Sequence, residues 1–141
     1  MFKVKKIFFL GLVILFLSCE KEGELTKTTS KSIESNSILK YSGIFTPTSG
    51  INVQGKANVY FKNTLQQLQL ENISISDGPD LKVYLSKTNT PSDFVNLGNF
   101  KGNGTSVYEI PTVVNVSQYQ YVLIHCQQYN HLFAIAQLTA K

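Results

Sequence analysis

The side chains in this sequence whose types could do chemistry are few: the thiols of Cys19 and Cys126, the imidazoles of His125 and His131 on either side of the second thiol, and the carboxylates of Asp77 and Asp80 flanking Gly78-Pro79. A thiol serves as nucleophile, redox group or soft metal ligand, and the thiolate is its reactive form. His125, Cys126 and His131 invite a metal reading, yet structural zinc takes four nitrogen or sulfur donors. In an extended segment, alternation also turns His125 to the face opposite Cys126. Ordinary surface or capped histidines are expected, and no metal site is assigned. Asp77 and Asp80 could meet a hard cation, but Asp-Gly-Pro-Asp is turn chemistry: proline fixes φ, glycine permits unusual backbone angles and aspartate bonds nearby amides. No Ser-His-Asp arrangement, phosphate-cradling glycine loop or carboxylate pair with supporting context is present, so hydrolase and transferase chemistry lack a basis and stand-alone catalysis is not expected.

Of the two thiols, Cys126 is the one placed within the expected fold. It shares a strand face with Val122 and Ile124, while Tyr121, Leu123 and His125 point to the other. One reading makes it a small buried hydrophobe. The other notes that the strand ends there and opens into Gln127-Gln128-Tyr129-Asn130-His131, where a sulfur at the rim can react. A single thiol does not pass two electrons alone, because disulfide exchange requires a second sulfur, so an external cofactor or protein is implied. The cofactor itself is unknown. Haem or a metal held by Cys126 or His131 stays open, although no Cys-x-x-Cys-His attachment signal exists.

Three lysines, Lys3, Lys5 and Lys6, precede the eleven-residue apolar run Ile7 to Leu17, which ends at Ser18-Cys19. A helix crossing the bilayer needs about twenty apolar residues, so residues 1–18 are expected to be an export signal that is removed. The cut site resembles the lipobox of bacterial lipoproteins, with bulky Phe16 and Leu17 as its departure. That resemblance implies lipid attachment at Cys19 and a protein held on a membrane by acyl chains. Glu20-Lys21-Glu22-Gly23-Glu24 resembles the acidic surface-export signals of Bacteroidetes lipoproteins. The expected place is therefore the cell envelope, on the extracytoplasmic side of a membrane and specifically the outer membrane, with either leaflet open.

Of thirteen lysines, three leave with the signal, so ten face nine acids and the mature charge is near +1. The chain has no arginine, which removes the bidentate contacts typical of nucleic-acid readers. No nucleic-acid partner is expected. With Cys19 lipidated, Cys126 has no intramolecular mate and no disulfide framework exists.

Residues 19–40 are rich in Ser, Thr, Lys and Glu and are expected to be a flexible tether. Residues 41–141 are expected to form one domain of roughly a hundred residues. Leu68-Gln69-Leu70-Glu71 alternates with period two, as does Leu81-Lys82-Val83-Tyr84-Leu85, and Tyr119 to Cys126 is a third strand. The apolar phase slips from even to odd positions at Ile73 and Ile75, which predicts a bulge near Asn72. Tyr121 to Cys126 and Leu132 to Leu138 lie close enough in sequence to be a hairpin. Turn signals recur and no helical stripe appears, so the fold class is all-β: an antiparallel sandwich or barrel of about seven to nine strands. The three Asn-x-Ser/Thr sequons at Asn72, Asn103 and Asn115 are read as chance occurrences.

Gly78-Pro79-Asp80-Leu81, Val83-Tyr84-Leu85-Ser86, Leu97-Gly98, Lys101-Gly102, Tyr108-Glu109-Ile110-Pro111, Tyr119, Val122, Ile124, Cys126 and Phe133 to Leu138 together resemble the DM-thirteen domain. The likeness runs from about Gly43 to Leu138. That family is described as an electron-transfer domain, often found beside DOMON domains in surface and extracellular proteins. The resemblance implies a single antiparallel β-sandwich, a redox or surface protein partner, and a characteristic cysteine on the penultimate strand, which falls on Cys126 and makes it the redox candidate. The alternative is a non-catalytic β-sandwich that binds a surface protein or ligand. Gly50 to Gly55 departs from the family pattern, being longer than a compact glycine turn.

Overall fold

The computed structural model describes residues 32–141. The expected signal peptide, Cys19 and the first part of the expected tether lie outside the described residues. Nine strands follow one another: β1 (Ile38–Pro47), β2 (Val53–Lys62), β3 (Leu65–Ile75), β4 (Leu81–Ser86), β5 (Phe94–Asn99), β6 (Gly104–Ile110), β7 (Tyr121–Cys126), β8 (His131–Gln137) and β9 (Thr139–Ala140). Between β6 and β7 a 3-10 turn, Val116–Gln118, is capped by the Asn115 side chain, which accepts from Ser117 N. The spatial order is β5-β4-β7-β8-β1-β2-β3-β6, with β9 pairing β1. Every strand pair is antiparallel. The run of pairs folds over on itself into two facing layers, the all-β sandwich expected, nearly closed into a barrel.

Alternation builds the core. Leu68 and Leu70 of β3, Val83 and Leu85 of β4, and Val122 and Ile124 of β7 are all fully buried, and their polar neighbours in sequence point away. The phase slip in β3 is the bulge the sequence predicts. Asn72 takes φ 49° and Gly55, across the ladder, takes φ 120°. The register shifts between Gln54 and Lys56 on β2 and between Leu70 and Ile73 on β3. Past this break Ile73 and Ile75 return to the core. A Cβ at residue 55 would lie 2.8 Å from Ile73 Cα and 2.9 Å from the Glu71 carbonyl oxygen, so this close approach admits only glycine.

β1 is the corner. Its residues from Ile38 to Ile44 pair with β2, whereas Phe45 to Pro47 pair with β8. β9 then pairs with Tyr41 and Ser42. At the crossing, a Cβ on Gly43 would come within 2.2 Å of the Gln137 carbonyl oxygen.

The layers nearly meet again where β5 and β6 end the run. Tyr108, buried on β6, crosses this seam: its hydroxyl donates to the Asn99 carbonyl at 3.1 Å and accepts from Lys101 N at 2.9 Å. The Lys101 ammonium lies 4.3 Å from the ring centroid, and burial pushes the Tyr108 phenol above its ordinary range.

The antiparallel path sorts the loops onto two poles. The start of β1, the β2–β3 turn, the β4–β5 loop and the β6–β7 segment share one pole, where Glu34 N donates to the Gln67 side chain at 3.0 Å and the chain enters the domain. Residues 48–52, 76–80, 100–103 and 127–130 share the other. Cys126 belongs to this second pole.

Candidate functional site

Cys126 is the last residue of β7, opposite Leu81 on β4 and His131 on β8. Its side chain joins the core beside Leu81, Ile124 and Phe133 and is 0% exposed. It is a free thiol. Of the two readings of its surroundings, burial holds in this fold, yet the sulfur sits at the final rung of the ladder with only a turn beyond it. That turn is tied to the residue before β4 and closed on itself. Gln127 N donates to the Asp80 carbonyl at 3.0 Å, and Asn130 N donates to the Gln127 carbonyl at 3.3 Å.

The Asp80 loop forms one wall of a cleft of about 370 Å³ lined by Asp77, Pro79, Asp80, Lys82, Phe100 and Asn103, among others. Asp77 and Asp80 do share this cleft. Asp80, however, pairs with Lys82 at 2.9 Å, and Lys82 also donates to the Asn99 side chain. Asn103 accepts from Ile75 N at 3.1 Å. Asp80, Lys82 and Asn103 thus each hold a neighbouring group. Among the described residues no three His, Cys, Asp or Glu side chains gather as a metal centre would need. Cys126 lines neither this cleft nor the one beside Pro47 and Ser76.

His125, Cys126 and His131 do not converge. His125 points to the outer face, as alternation requires, but is far from a surface residue: it is only 4% exposed. Tyr84, its neighbour from β4, lies with ring centroids 5.5 Å away and stacks in turn on Phe94 of β5 at 4.0 Å. His125 Nε2 is 3.2 Å from the Asn130 side-chain oxygen, whereas its Nδ1 is buried without a partner. Burial holds the imidazole below its ordinary range, the Asn130 hydrogen bond opposes this, and His131 adds to the depression. His131 is exposed and packs edge-on against Phe133, with centroids 5.0 Å apart. The expectation of a surface or capped histidine thus describes His131 as a surface group and His125 as a capped one. Missing from it is the burial of His125, beside which lies the Tyr84 ring of β4. The one local signal was the apolar Leu123 on the same face.

The sequon asparagines act locally as well. Asn72 makes the β3 bulge, Asn103 holds Ile75, and Asn115 caps the 3-10 turn. Cys19 lies outside the described residues.

Comparisons with curated proteins and with solved structures found no match. A family model described as Electron transfer DM13 matches residues 45–138, which takes in every strand from β2 to β8, the 76–80 loop and Cys126 with its turn. The match spans well over half of the chain, so the chain belongs to the Electron transfer DM13 family.

Proposed function

We propose that this protein is a lipid-anchored extracytoplasmic redox accessory in which Cys126 is the electroactive group and a surface protein supplies the second redox centre. Family membership supports electron transfer in general. The observation that carries the finer reading is the place of the sulfur: a free thiol at the last rung of a hairpin, at the pole opposite the one where the chain enters. An anchor at Cys19 would then put the thiol end away from the membrane.

The chemistry available to one sulfur is exchange with a partner disulfide. The Cys126 thiolate attacks one partner sulfur, an S–S bond joins the two proteins, and the other partner sulfur leaves as a thiolate with the electron pair. An incoming dithiol then attacks the Cys126 sulfur and closes its own disulfide. This frees Cys126 and leaves the partner reduced.

The test is Cys126→Ser in the lipidated protein, assayed for mixed-disulfide capture of envelope proteins and for thiol–disulfide turnover. Loss of both in the variant is expected; unchanged capture and turnover end this reading.

Complete burial of Cys126 favours a second reading, a non-catalytic sandwich that binds a surface protein or ligand while Cys126 serves the core. Rapid thiol modification in the native fold contradicts it.

A further inference from the structure

We propose that the tip of the β7–β8 hairpin is an acid-operated latch over Cys126, held shut by the clasp between buried, neutral His125 and Asn130 and released when that ring takes a second proton. The proposal rests on Cys126 being the working thiol and names what regulates its access.

Asn130 Oδ1 can only accept, so in the neutral ring Nε2 carries the hydrogen and Nδ1 is bare. A buried bare nitrogen is tolerable; a buried N–H⁺ with no acceptor is not. Protonation places such an N–H on Nδ1, which has no partner. No carboxylate is free to compensate from the packed elements. From β4 the same face presents Tyr84 and Lys82, and the nearest acid, Asp80, is already paired with Lys82. From β8 comes His131, a second base. From β5 come Asn96 and Asn99, which do not titrate. The charged ring therefore gains by swinging out to water, and it takes Asn130 with it or lets it go.

Asn130 matters to the turn because it is held at φ 47°, a left-handed conformation that asparagine adopts only with local support. Beneath the turn lies the single rung Cys126–His131. Loss of the clasp frays that rung first, and the rung carries the thiol. The sign of the pH dependence follows from linkage. The closed form holds His125 below its ordinary range, so the open form binds the proton more readily. Opening is favoured as pH falls through the usual imidazole range and levels off below the closed-form pKa.

The experiment measures the labelling rate of Cys126 by 4,4′-dithiodipyridine, which reacts in acid, in the full chain carrying Cys19→Ser so that one thiol is read. Rates are taken between about pH 7.5 and 5 and normalised to denatured protein at each pH. The expected rate climbs in acid, by at most about tenfold per pH unit as one proton allows. His125→Phe lacks the clasp and should label fast at every pH, with no acid rise. Asn130→Gly keeps the left-handed turn but lacks the clasp, and should label fast at neutral pH. A flat wild-type profile overturns the latch. So does an equal acid rise in His125→Phe, or a rise that tracks loss of the near-ultraviolet circular dichroism of the whole domain. Because accessibility is the readout, a flat profile leaves the redox role of Cys126 to its own serine test. A steep profile with inert redox chemistry ends that role and leaves the latch standing.

Discussion

Gly55 and Asn72 face each other across the β2–β3 ladder, and together they let one strand change which of its residues are buried. Before the break even-numbered leucines point inward, and after it Ile73 and Ile75 do. Gly55→Ala should therefore destabilise the domain by about 2–3 kcal/mol, since alanine has to occupy a glycine-only conformation against the backbone of Ile73. Urea denaturation followed by circular dichroism measures it, and a loss under about 0.5 kcal/mol would mean that the bulge relaxes. This slip was legible in the sequence because it lies within one strand, where period-two alternation records it residue by residue. The inward face of Cys126 was legible for the same reason. The burial of His125 was not, because Tyr84, whose ring lies against it, is 41 residues away in the chain.

At the scale of elements, the weak place is the seam between β5 and β6, the two ends of the sheet path. Neither edge has a strand partner on its outer side, so both depend on Tyr108, whose hydroxyl bonds to the link between them. Tyr108→Phe keeps the ring in the core and removes that tie, leaving the Asn99 carbonyl and the Lys101 amide without it. A destabilisation of about 1–3 kcal/mol is expected. Amide exchange should become faster in β5 and β6 while β7 and β8 stay protected. Uniform loss of protection across all strands would show that the seam is not a separate weak point. The strands themselves, the β7–β8 hairpin and the all-β class were legible from alternation and turn residues. The corner in β1 was not, since nothing near Gly43 reveals that Gln137 will press against it. The 3-10 turn was also silent, as three residues are too few to show a period.

At the scale of the whole molecule, the first and last strands are partners. Phe45 pairs with Ala136 and Tyr41 with Ala140, and Lys141 N donates to the Lys40 carbonyl at 2.9 Å. Removing residues 139–141 should lower stability by about 2 kcal/mol, read as a fall in Tm of about 10 °C for a domain of this size. An unchanged Tm would make β9 ornamental. The pairing also governs when the domain can exist at all. A chain emerging amino end first presents β1 early, but both layers hang from that strand, and its partner β8 is almost the last to appear. Contacts between such distant segments form slowly. Until β8 and β9 have emerged, the nascent polypeptide has no closed core. Architecture alone thus keeps the domain open until its last two strands are out.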